Sequence, residues 1–74
     1  MSEIKYTKVQ SSNIEGYFYK EKTEELYIKF ENQREYVYSE VSKGEFESLF
    51  VEDSSFGKEL RKKITNKKPF IEIW

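Results

Sequence analysis

The chain has 74 residues, of which 13 are Lys or Arg and 14 are Asp or Glu, giving a net charge of −1, and 18% of it is aromatic. That length suits one domain with a thin core, and the near-zero charge provides no overall field toward nucleic acid or anionic lipid. Cysteine and histidine are both absent, which removes disulfides, thiolate and imidazole metal sites, Cys-His and Ser-His nucleophile pairs, and the side chain that titrates near neutral pH.

Met1-Ser2-Glu3 opens the chain without an apolar leader, and no apolar run approaches the length of a membrane span, so a cytoplasmic address is expected. Hydrophobic and charged residues each make up 36% of the chain. The aromatic residues nevertheless recur with strand spacing, which argues for a folded domain.

In chain order, a weak strand signal runs from Ile4 to Gln10. From Ile14 to Lys20, the period of two places Ile14, Gly16 and Phe18 on one face and Glu15, Tyr17 and Tyr19 on the other. A polar link precedes the clearest strand, with Leu26, Ile28 and Phe30 inward against Tyr27 and Lys29. Asn32-Gln33 offers turn chemistry through the tolerance of Asn for left-handed angles, and Arg34 to Tyr38 forms the next strand.

After Val41 the period changes. Ser42 and Glu45 fit a capping box, followed by Phe46, Leu49 and Phe50 on one helical face. Asp53-Ser54-Ser55 starts a second helix carrying Phe56, Leu60 and Ile64 at intervals of four, ended by Asn66 and Pro69. The expected fold is α+β: a three- or four-stranded antiparallel meander followed by two short helices packed on one face. Its expected core is Ile14, Phe18, Leu26, Ile28, Phe30, Phe46, Leu49, Leu60 and Ile64. Pro69 to Trp74 is apolar and β-prone, and residues 67–74 are expected to add a strand to this sheet or to a second subunit as a homo-oligomer tail.

Val9-x-Ser11-Ser12-x-Ile14, Leu26-x-Ile28-x-Phe30, Tyr36-x-Tyr38, Val41 and Ser55-x-Gly57 occur in an order and spacing that resembles the KTSC domain. That family is also found at the C-terminus of some lysyl-tRNA synthetases and as small free-standing bacterial or phage proteins, and the resemblance implies an RNA-binding role. The chain departs from the family pattern in carrying Lys67 to Trp74, and in lacking the aromatic residues that often follow the glycine.

Candidate ligand-binding residues fall into three groups. Arg34, Tyr36 and Tyr38 share a strand face, where two rings and a guanidinium form a base-stacking platform; packing of the same rings against the helices is the competing use. Ser54, Ser55, Gly57, Lys58 and Arg61 open the last helix, where free backbone N–H groups and a lysine suit a phosphate; simple capping by a serine is the alternative. Ser11 and Ser12 precede the first confident strand and offer hydroxyls either to a ligand or to a turn. Lys58, Arg61, Lys62, Lys63, Lys67 and Lys68 form a basic run that neutralises phosphates or is merely solvated.

These residues lead to the expectation of a non-catalytic binding protein, with no cofactor and no metal, for a phosphate-bearing ligand of nucleotide type. An extension of that expectation is a phage-type sponge that sequesters a host signalling nucleotide and so evades antiviral defence. A single-stranded RNA-binding module and an oligomerising interaction module are the alternatives.

Overall fold

The computed structural model describes residues 5–9 and 13–73; Ser11, Ser12 and Trp74 lie outside the described residues. Among the described residues five strands, β1 (Thr7–Lys8), β2 (Ile14–Lys20), β3 (Glu25–Phe30), β4 (Glu35–Tyr38) and β5 (Phe70–Glu72), form one antiparallel sheet in sequence order. Between β4 and β5 the chain makes α1 (Lys43–Glu47) and α2 (Phe56–Leu60), and α2 runs on into a π-helical turn, Arg61–Thr65. The meander with two short helices is thus present, extended by one strand at each edge. The C-terminal segment pairs with β4 of its own sheet.

The period of two in β3 works as expected: Leu26 and Ile28 are fully buried under the helices. Register then carries the same face into β4, because Leu26 lies opposite Tyr38 and Ile28 opposite Tyr36. In β2 the alternation breaks. Ile14 pairs with Phe30, but the register shifts before Gly16 pairs with Lys29. One extra residue in a strand reverses the face of every side chain that follows. Tyr17 and Tyr19 therefore pack on the core, and the expected core residue Phe18 lies on the far face against the Tyr27 ring at 5.9 Å.

Both helices are short, and helices of this length are held by capping and packing rather than by propensity. Ser42 and Glu45 make the full capping box that heads α1: the Glu45 N–H donates to Ser42 Oγ at 3.2 Å and the Ser42 N–H to Glu45 Oε1 at 3.0 Å. Phe46 of α1 stacks on Tyr19 at 4.4 Å, a contact that contributes about 0.5–1.5 kcal/mol beyond area burial. Ser55 caps α2 by accepting from the Lys58 N–H at 3.1 Å, and Phe56, Leu60 and Ile64 are all buried. Phe56 stacks on Tyr17 at 5.2 Å. Tyr38, Val41 and Phe56 join the core, whereas Phe30 and Phe46 are half-buried against it.

A polar clamp joins the two helices. Glu59 is only 6% exposed and pairs with Lys63 Nζ at 3.0 Å; the same ammonium donates to the Ser48 carbonyl just past α1 at 2.9 Å. The Ser54 hydroxyl, followed by Lys63, holds the Glu59 carboxyl below its usual range against burial, which pushes it up. Ser54 Oγ is itself buried and, among the described residues, has no hydrogen bond of good geometry. Glu45 is held low in the same sense by Lys68 and by its cap bonds to Ser42.

A Cβ on Gly16 would meet the Thr7 carbonyl oxygen at 2.8 Å and Tyr6 Cβ at 3.0 Å, so Gly16→Ala should cost about 1–3 kcal/mol in urea unfolding. Gly44 has nothing within 4 Å of that position, and Gly44→Ala should instead stabilise the helix by about 0.5 kcal/mol. Because Glu59 and Glu45 are depressed in the folded state, their stabilisation is complete above the unfolded value of about 4.3 and is lost as pH falls through the lower folded values. Thermal melts from neutral to acid pH should show this loss, and Glu59→Gln, less stable at neutral pH, should show a smaller one.

Candidate functional site

The β3–β4 connection makes a tight turn. The Gln33 N–H donates to the Phe30 carbonyl at 2.9 Å and the Phe30 N–H to the Arg34 carbonyl at 2.9 Å, leaving a loop of the kind that ends on a left-handed residue. That residue is Gln33, with φ 73°, rather than Asn32. The Asn32 side chain closes the turn by accepting from the Arg34 N–H at 3.1 Å. This geometry brings Arg34, just before β4, onto the same side as Tyr36 and Tyr38, beside Phe30 of β3 and Phe70 of β5.

Phe30, Asn32, Arg34, Tyr36, Tyr38, Thr65 and Phe70 line a groove of about 330 Å³. Tyr36 is its central ring, 5.5 Å from Phe30 in edge contact and 5.5 Å from Phe70. Tyr38 forms the floor at 2% exposure, its phenol pKa pushed up by burial and partly offset by the neighbouring Thr65 hydroxyl. Phe70 is 52% exposed and stands as the open wall. A second depression of about 380 Å³ adjoins the first and is lined by Asn32, Gln33, Arg34 and Glu72. Asn32 and Arg34 belong to both. At this junction the Arg34 Nη1–H donates to Glu72 Oε2 at 3.0 Å.

The fold thus brings Arg34, Tyr36 and Tyr38 into one groove. Ser54, Ser55, Gly57, Lys58 and Arg61 sit elsewhere, along α2 and its entry. Ser55 is committed to its cap, Ser54 lies by Glu59, and Phe56 between Ser55 and Gly57 packs over β2 through Tyr17. Lys58 and Arg61 are exposed, and the Arg61 carbonyl accepts from Asn66 Nδ2 at 3.1 Å. Ser11 and Ser12 lie outside the described residues.

Sequence reasoning missed Phe30, Asn32, Thr65, Phe70 and Glu72 as members of the site. Phe30 and Asn32 carry a local signal, since both flank the turn that starts β4. Thr65, Phe70 and Glu72 carry none: Thr65 reaches the groove from the end of the π-helical turn, and Phe70 and Glu72 only when the chain returns to pair β5 with β4.

A wider depression of about 670 Å³ at the β2–β3 turn is lined by the consecutive residues Phe18 to Thr23. Neighbouring side chains on a strand point to opposite faces, so this depression wraps an edge rather than enclosing a ligand. Among the described residues no helix is long and apolar enough to cross a membrane.

A search of curated proteins finds no match to the chain. The KTSC domain profile matches residues 10–67, a span that covers β2 to β4, both helices and the positions Arg34, Tyr36, Tyr38, Ser55 and Gly57, and stops before β5. On the strength of that match over most of its length, the chain belongs to the KTSC domain family.

Proposed function

We propose that the protein is a non-catalytic binding protein for a phosphate-bearing ligand of nucleotide type. The observation that carries this reading is the junction of two depressions at Asn32 and Arg34, one walled by rings and the other by polar side chains. A planar base has a ring to stack on in the first, where stacking contributes about 1–3 kcal/mol per base. A phosphate in the second meets the Arg34 guanidinium, whose fork of donors matches its oxygens. The π-helical turn that ends in Thr65 gives further support, since such turns concentrate at functional sites.

The absence of histidine and cysteine from the sequence favours binding over nucleophilic or acid–base chemistry. A sponge for a signalling nucleotide needs no more than this, and it returns its ligand unaltered. The single-stranded RNA alternative uses the same aromatic face together with Lys58, Arg61, Lys62 and Lys67, which are exposed on the last helix and just beyond it. Self-association through the tail would use Ile71 and Ile73, exposed on and beside the edge strand β5.

Titration with a panel of nucleoside monophosphates, read by calorimetry, tests the proposal. Tyr36→Ala should weaken binding by about 5- to 150-fold, the equivalent of one lost stacking contact. RNA oligomers serve as the comparison. A log–log salt slope that steepens by about −0.7 per phosphate with strand length would move the assignment to RNA.

A further inference from the structure

The family match ends at Lys67, yet two walls of the groove come from the segment beyond it. Phe70 closes the ring-walled side, and Glu72 lines the polar side. Glu72 lies opposite Tyr36 in the β4–β5 register, which places its carboxylate on the groove face, diagonal to Arg34 just before the neighbouring strand. It receives the Arg34 guanidinium at 3.0 Å where the two depressions meet. The guanidinium available to a ligand anion is therefore already held by a carboxylate of the same chain.

We infer that Glu72 is a selectivity residue of this site: it occupies the anion position on Arg34, and a ligand's phosphate binds by displacing it. This rests on the nucleotide reading above. A carboxylate carries one charge and two acceptor oxygens, whereas a phosphate monoester carries about −1.5 to −2 and three acceptor oxygens at neutral pH, so the phosphate is the stronger partner for a guanidinium. Displacement is feasible because the pair is accessible, with side-chain exposures of 57% for Arg34 and 36% for Glu72, and a pair in that setting has a small net stability. Glu72 sits on an edge strand and can turn out to water once released. By this arrangement the added strand lowers the affinity of the groove for anions in general and reserves Arg34 for those that outcompete a carboxylate.

The test compares adenosine 5′-monophosphate with adenosine, titrated at low salt into the wild-type chain, Glu72→Gln, Arg34→Gln and the double variant. Glu72→Gln should raise the ratio of monophosphate to adenosine affinity by about three- to tenfold, the scale of one screened charge contact. The rise should vanish in the Arg34→Gln background and shrink with added salt. A ratio that stays the same, or affinities for both compounds that fall in Glu72→Gln, would overturn the inference while leaving the nucleotide reading in place; the second outcome makes Glu72 a direct ligand contact. If neither compound binds the wild-type chain or Glu72→Gln, the nucleotide reading itself fails and the inference falls with it.

Discussion

The shift of one residue in β2 between Ile14 and Gly16 decides which rings meet the helices. With unbroken alternation, Phe18 would face α1 and α2, and Tyr17 and Tyr19 would face away. The bulge instead turns both tyrosines inward, where Tyr19 stacks on Phe46 and Tyr17 on Phe56. Tyr19 also donates its hydroxyl to the Val41 carbonyl at 2.6 Å, tying the start of the helical segment to the sheet. Tyrosine suits this position better than phenylalanine, because its ring packs while its hydroxyl satisfies a backbone group that would otherwise go unpaired.

Gly16 belongs to the same device. The β1 backbone and Tyr6 lie directly over it, at distances that leave no room for a side chain. Tyr6 crosses this far face to donate to Glu35 Oε1 at 2.7 Å. Burial, followed by that contact, pushes the Tyr6 phenol pKa well above its ordinary value. The bulge therefore does two jobs: it aims rings at the helices and makes space for the N-terminal strand.

The candidate site depends on the other end of the sheet. A meander that stopped at β4 would leave Tyr36 on an edge, beside water. The helices carry the chain across the sheet and set it down as β5, with the Ser39 N–H donating to the Pro69 carbonyl at 2.9 Å and the Ile73 N–H to the Glu35 carbonyl at 2.8 Å. Lys68 pins this return by pairing with Glu45 at 2.8 Å, so the same lysine that depresses the Glu45 carboxyl also places the groove's outer wall. Through this shared residue, helix capping, tail docking and groove shape depend on one another.

Local pattern was enough for the β3 alternation, the capping box at Ser42 and Glu45, the four-residue spacing of Phe56, Leu60 and Ile64, and the sharing of one face by Arg34, Tyr36 and Tyr38, because each depends on spacings within a few residues. The same pattern misled at Phe18, since a bulge leaves no mark in the period of two until a partner strand sets the register. Burial of Tyr38 under the helices, the choice of Gln33 over Asn32 for the left-handed turn position, and the arrival of Phe70 and Glu72 beside Arg34 were decided by the tertiary structure alone. Each needs residues distant in the chain to meet, and the free energy of such meetings is not written in any local window.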